Sequence, residues 1–188
     1  MYNIIFASTF SGGIGYHNNI PWNVPEDMKN FKKITSTTVD NYKRNAVIMG
    51  INTWISIPLE HKPLPKRLNI ILSSKYENEV KFDKDIIFFN NIEKALEYCE
   101  NNKNIENTFI IGGADIINQC LNKSTLHLKL DKIYLTLIRG YYECDKFIEI
   151  KNILKNYYIN TNNIKFRNKY ISLVANNIFT NEKKCIKK

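Results

Sequence analysis

Ile20-Pro21-Trp22-Asn23-Val24-Pro25-Glu26-Asp27-Met28-Lys29-Asn30-Phe31-Lys32-Lys33-Ile34-Thr35 is the stretch on which the reading of this chain turns. Pro25 suits a first helical position, where a missing N–H costs nothing, and Met28, Phe31 and Ile34 then recur at helical spacing. Asp27 joins that stripe. It lies four residues before Phe31 and seven before Ile34, so one helical face carries all three while Lys29, Asn30, Lys32 and Lys33 point away. Acids are common in a first helical turn because they meet its exposed N–H groups, and Glu26 fills that role. A carboxylate on the face turned toward a core must be paired, protonated or waiting for a ligand. Pro21, Trp22 and Pro25 set a rigid, largely apolar wall just before it, with stacking area for a flat heterocycle.

Outward from this stretch, short apolar runs alternate with helical stripes. Strands are expected near Ile4–Ser8, Ala46–Met49, Leu68–Leu72, Ile86–Phe89, Phe109–Ile111 and Ile133–Ile138, and helices near Asp27–Ile34, Asn52–Ile57, Ile92–Cys99 and Asp115–Leu121. That alternation predicts a single-domain α/β fold, with a mostly parallel twisted central sheet flanked by helices. Tyr157–Asn160 and Tyr170–Val174 read as strands without an amphipathic helix between them, which predicts an antiparallel hairpin at the sheet edge. One domain is expected over residues 1–188, with a peripheral tail from about residue 176. The segments Glu100–Asn107 and Asn160–Asn168 read as solvated loops.

The formal charge of +9 raises a nucleic-acid or acidic-membrane reading. Its placement argues against both: 23 of the 27 basic residues are lysines scattered along the chain, and only Lys183-Lys184-Cys185-Ile186-Lys187-Lys188 is locally dense. The same excess of cations favours anionic small molecules. Cys99, Cys120, Cys144 and Cys185 have no metal-ligand spacing; Cys99 and Cys120 continue helical stripes and read as small core residues. Reduced thiols, no metal and a cytoplasmic setting are expected. The start of the chain runs directly into strand-like Asn3–Ser8, with no basic leader and too short an apolar run for a signal peptide or membrane span.

Gly112-Gly113 ends an apolar strand and opens a helix, where bare backbone N–H groups can approach a pyrophosphate. Gly50 stands in the same relation to Val47-Ile48-Met49, with Asn52 and Thr53 beginning the next helix. Each glycine alone reads as a tight turn. Together they make a two-sided cradle for a dinucleotide.

The string Gly15–Phe31 resembles the substrate-binding segment of dihydrofolate reductases. Val47-Ile48-Met49-Gly50-Ile51-Asn52-Thr53-Trp54-Ile55-Ser56-Ile57-Pro58, Pro63-Leu64-Pro65-Lys66-Arg67-Leu68-Asn69-Ile70-Ile71-Leu72-Ser73-Ser74 and Ile110-Ile111-Gly112-Gly113 are similar to further blocks of that family, in the family's order. The likeness runs from Met1 to about Val174. It implies hydride transfer from NADPH to C6 of dihydrofolate, with Asp27, Trp22 and Thr136 at the reacting ring and Thr136 hydrogen-bonded to the Asp27 carboxylate. It implies a substrate slot lined by Ile5, Ala7, Met28, Phe31, Ile57, Leu64 and Tyr134, with Arg67 on the α-carboxylate of the glutamate tail. For the cofactor it implies Ala7, Ile14, Gly15, Ile20, Gly50, Asn52, Thr53, Ser73, Ser74, Lys75, Ile111, Gly112, Gly113, Ala114 and Ile116, and a cis peptide between Gly112 and Gly113.

Ser11–Gly15 and Tyr16–Ile20 resemble the family's mobile lid, and Asp145 matches an acid that steadies it. Three residues depart from the family pattern. Ile51 and Asp115 stand where basic residues often clamp the adenosine 2′-phosphate, and Ile117 replaces a tyrosine near the nicotinamide. The implied partners are dihydrofolate and antifolate inhibitors, with no specific nucleic acid and no membrane, in a monomer unless it is fused to or paired with thymidylate synthase. Two other readings stay open: a riboflavin-pathway type of reductase, and a degenerate folate- or RNA-binding member without turnover.

Overall fold

The core strands are buried on both faces, so successive side chains feed two apolar layers, one on each side of the sheet. The computed structural model describes residues 1–75, 80–159 and 161–177, and no side chains at 80–82. Its strands in chain order are β1 (Tyr2–Thr9), β2 (Gly13–Gly15), β3 (Arg44–Gly50), β4 (Arg67–Leu72), β5 (Val80–Asp83), β6 (Ile86–Phe89), β7 (Ile105–Gly112), β8 (Leu130–Ile138), β9 (Lys146–Phe147), β10 (Tyr158–Ile159), β11 (Lys165–Phe166) and β12 (Tyr170–Asn176). Its helices are α1 (Pro25–Ser36), α2 (Ile51–Ser56), α3 (Ile92–Asn101), α4 (Ala114–Asn122), α5 (Ser124–His127) and α6 (Ile150–Asn156).

The main sheet runs β10-β12-β8-β1-β7-β3-β4-β6-β5, with β11 also paired to β12. The six strands from β8 to β6 are parallel to their neighbours. The flanking strands are antiparallel: β12 pairs with β8, β10 and β11 pair with β12, and β5 pairs with β6. The expected carboxyl-terminal hairpin is thus present as β10 and β12, with β11 folded between them in sequence. Asn160 and the chain from 178 onward, including Cys185 and the dense lysine tail, lie outside the described residues.

Ile5, Val47, Met49, Ile71 and Phe109 face α1 and α2, packing with Phe31, Ile34, Trp54 and Ile57. Ile4, Ile48, Ile70, Ile110 and Leu135 face the other way and meet α3, α4 and α6 through Leu96, Ile117, Cys120 and Ile153. Cys99 and Cys120 are buried in that core, as their helical spacing suggests. The strands are longer than their apolar cores because buried polar residues extend the ladders. Asn45 is fully buried, donates to Thr35 O and Thr37 O, and accepts from Asn107 N. The expected loop Glu100–Asn107 therefore ends in strand: β7 begins at Ile105, and the Glu106 carboxylate accepts from Val39 N and Asp40 N.

Neighbouring strands β3 and β7 send their chains to opposite faces, β3 into α2 and β7 into α4. The sheet consequently opens a crevice beyond Gly50 and Gly112. Ile110 sits at 0% exposure where β7 is clasped between β1 and β3. Ile110→Ala is expected to destabilise the fold by about 2–5 kcal/mol, read as a lowered urea midpoint at unchanged slope. A loss below about 0.5 kcal/mol would contradict a close-packed sheet core at this point.

Candidate active site

Pro25 opens α1 as expected, and Asp27 follows in its first turn with its N–H bonded to Val24 O at 3.0 Å. The Asp27 side chain turns toward the sheet and is only 6% exposed. Thr136 of β8 donates its hydroxyl to Asp27 Oδ1 at 2.7 Å. Among the described residues no cation pairs with this carboxylate. Burial holds its pKa above the ordinary carboxyl value, and the hydrogen bond from Thr136 opposes that shift. Trp22, just before α1, is buried with Val24, Ile138 and Tyr170, edge-on to Tyr142 with ring centres 5.6 Å apart, and its Nε1 has no partner among the described residues.

The register of β1 against β8 puts Ile5 opposite Tyr134 and Ala7 opposite Thr136. These four share the face that Asp27 meets. Half-buried Phe31, Ile57 and Leu64 pack in the same cluster as Ile5 and extend the wall away from Asp27. Met28 is 45% exposed. The inward stripe of α1 runs Asp27, Phe31, Thr35, four apart, so Met28 is rotated by about 100° to the rim.

Arg67 closes the far end of this wall. It is 2% exposed, with Nε donating to Pro65 O at 3.1 Å, Nη1 to Thr35 Oγ1 at 2.7 Å, and the guanidinium over the Phe31 ring. No carboxylate pairs with it among the described residues, and Nη2 has no partner there. Burial lowers its pKa to about 10, which leaves it charged near neutral pH. Thr35 was not singled out from sequence; its place four residues beyond Phe31 on the Asp27 stripe was the available signal.

The two glycine turns meet at the crevice. Gly112 has φ 139°, a conformation open to glycine, and the Gly112–Gly113 peptide is cis. A Cβ at Gly112 or Gly113 would stand 3.4 or 3.3 Å from Thr53 Oγ1, and one at Gly50 would stand 3.0 Å from Ile116 Cδ1. Bare backbone and one hydroxyl thus share a small space at the start of α4, a fit for phosphate oxygens. Ser73, Ser74 and Lys75 follow β4, whose last residue Leu72 pairs with Gly50, so they flank the same crevice. Lys43 and Arg44 lie at the opposite end of β3, where Arg44 is paired with Asp85. Ile111 packs on the α1 side, Ile14 and Ile116 against the opposite core, and Ala114 is buried. Ile117 is fully buried in the same core as Ile14 and Ile116.

The segment expected to form a lid, residues 11–20, is held at several points. Thr9 Oγ1 accepts from Gly13 N at 2.9 Å, and β2 pairs with β9. Asp145 Oδ2 accepts from His17 N at 3.1 Å. His17 and Asn18 take positive φ at the tip, and Asn18 Nδ2 reaches Asn52 O at 3.1 Å, joining the lid to α2. Ile20, beyond the tip, is exposed.

A buried acid able to accept paired N–H groups, an apolar wall and a buried guanidinium thus share one face of the sheet, and the two glycine turns stand at the ends of its central strands. The chain matches the family model described as dihydrofolate reductase over residues 1–175. It belongs to the dihydrofolate reductase family. It is 39% identical over 155 residues to the bifunctional dihydrofolate reductase-thymidylate synthase of Daucus carota, covering 79% of this chain and 28% of that protein. It is 45% identical over 122 residues to the dihydrofolate reductase of Candida albicans, covering 64% of this chain and 62% of that one. Against the Drosophila melanogaster dihydrofolate reductase it is 33% identical over 146 residues, covering 78% of each. The chain thus spans about 28% of the length of bifunctional relatives of the Daucus carota kind.

The Asp27 carboxyl binds its proton more tightly in the folded chain than in the unfolded one. Its ionisation therefore costs stability, and the cost grows as pH rises from the unfolded value of 3.8 through the raised folded value. Asp27→Asn keeps an acceptor for Thr136 and cannot ionise. It is expected to melt above the parent near about pH 7 and to lose that advantage near about pH 3. An equal difference at both values would contradict the burial cost.

Proposed function

We propose that this protein reduces 7,8-dihydrofolate to 5,6,7,8-tetrahydrofolate with NADPH, in support of one-carbon and thymidylate metabolism. The observation that carries the reading is Asp27, a carboxylate out of water with one side-chain hydrogen bond and no cation among the described residues. The amino-pyrimidine edge of a pterin offers two parallel N–H donors, which complete that carboxylate as a cation otherwise would. Asp27 then fixes the ring in the slot and raises the basicity of N5, while water delivers the proton there. Thr136 keeps Oδ1 aimed, and Trp22 and Ala7 bound the ring.

Met28, Phe31, Ile57 and Leu64 take the aryl linker, with Ile5 and Tyr134 beneath. Arg67 takes the α-carboxylate of the glutamate, for which its planar fork suits better than lysine. When bound, NADPH supplies the hydride that reaches pterin C6. Gly50, Asn52, Thr53, Gly112, Gly113 and Ala114 would hold its phosphates, and Ala7, Ile14, Gly15, Ile20, Ile111 and Ile116 its nicotinamide half. Ser73, Ser74 and Lys75 would meet the 2′-phosphate. Closure of the lid through Asn18 and Asp145 excludes water from the hydride path. Ile51 and Asp115 thin the basic clamp; Ile117, being core, does not bear on it. We place the protein in the cytoplasm, open to antifolate inhibitors, as a monomer unless it is fused to or paired with a thymidylate synthase.

Nicotinamide absorbance decay with dihydrofolate is expected with NADPH and to be several-fold slower with NADH. No turnover with either cofactor by folded protein would overturn the reading in favour of a non-catalytic binder. Asp27→Asn is expected to lose about 100-fold or more in rate at neutral pH and to recover partly in acid, where substrate arrives protonated. An unchanged neutral rate would remove Asp27 from the mechanism.

A further inference from the structure

Leu64 and Arg67, assigned above to the two halves of the substrate's tail, end one tight turn, Leu64-Pro65-Lys66-Arg67. The turn is not relaxed in itself: Lys66 sits at φ 64°, where lysine is uncommon. Asn69, two residues into β4 on the same face as Arg67, is fully buried. Its Nδ2 donates to Leu64 O at 3.1 Å and to Arg67 O at 3.1 Å, and its Oδ1 accepts from Leu64 N at 2.9 Å. One amide therefore spends both donors and its acceptor on the backbone of the two residues that bracket the turn.

The amide is itself tied to the middle of the sheet. Asn69 pairs with Val47 of β3 and Ile86 of β6, and its N–H donates to Asp85 O at 2.8 Å. The position of the Leu64–Arg67 turn is thereby referred to the parallel core. Aspartate would lack both donors, leucine all three bonds, and glutamine would carry the amide one methylene too far.

We propose that Asn69 is a positioning residue for the carboxylate-bearing tail of the substrate. It fixes the reach of the Arg67 guanidinium relative to the Leu64 side chain and touches neither the substrate nor the reacting ring. The inference rests on the reaction proposed above. Its effect is confined to substrates that carry the tail, because Asp27 and Thr136 hold the ring from α1 and β8, away from β4.

The test compares the parent, Asn69→Ser, Asn69→Leu, Arg67→Leu and the Asn69→Ser/Arg67→Leu pair. Each is assayed with 7,8-dihydrofolate and with 7,8-dihydropteroate, which lacks the glutamate. Each Asn69 variant is expected to raise KM for dihydrofolate about 10-fold with kcat within about 3-fold, leaving dihydropteroate within about 2-fold. The pair is expected to be no worse than Arg67→Leu alone. Equal losses with both substrates, or additive losses in the pair, would overturn the proposal in favour of a structural role.

Should the variants not fold, the parent still decides. Hydrogen exchange of the Asn69 side-chain amide, followed by NMR, is expected to slow several-fold with folate and not with pteroate. The same slowing with both would overturn the proposal. A parent that reduces neither substrate would sink the proposed reaction instead, and the folate–pteroate comparison would still read the role of Asn69.

Discussion

The Thr136 hydroxyl meets Asp27 Oδ1 across 2.7 Å, joining the first turn of α1 to the middle of β8. That single side-chain bond is all the described residues give a carboxylate taken out of water, and the rest of the site follows from the imbalance. A buried acid with one hydrogen bond and no cation has its charged form penalised until further donors arrive. Trp22 adds a buried indole N–H without a partner among the described residues. Both groups are poorly satisfied within the protein, which is how a binding site differs from a core.

Arg67 repeats the arrangement with the opposite sign. Its guanidinium is nearly enclosed, supported by Thr35 and the Phe31 ring, and its charge lacks a counter-ion among the described residues. An apolar wall of Phe31, Ile57 and Leu64 lies between the two charges, as the proposed elongated substrate requires. The polar ends fix its direction and the wall supplies contact area. The parallel sheet makes this possible, because residues two apart on β1, β4 and β8 share a face and hold their spacing.

Much of this was legible in the residues. The apolar cores of the six parallel strands, the Pro25 helix start and the inward Asp27 all follow from periodicity. The convergence of Gly50 with Gly112-Gly113 follows from strand-to-helix glycines once the sheet order is known. Periodicity fails where polar residues continue a strand, as at Asn45 and Glu106, because their partners are distant in sequence. It also misses α5 and α6, of four and seven residues, which are too short to show a stripe. The rotation of α1 that puts Met28 at the rim is set by spacing only to within a residue. Asn69 reads as an interruption of an apolar strand; only the three-dimensional turn shows what its amide holds.

The most direct test of the central claim is a carbon NMR titration of the Asp27 carboxyl, free and with a 2,4-diaminopteridine bound. A raised pKa in the free protein that falls well below the ordinary carboxyl value on binding is the expected result, since the paired N–H groups of a protonated ring stabilise the carboxylate. A carboxyl that titrates normally when free, or that does not respond to the ligand, would contradict the account.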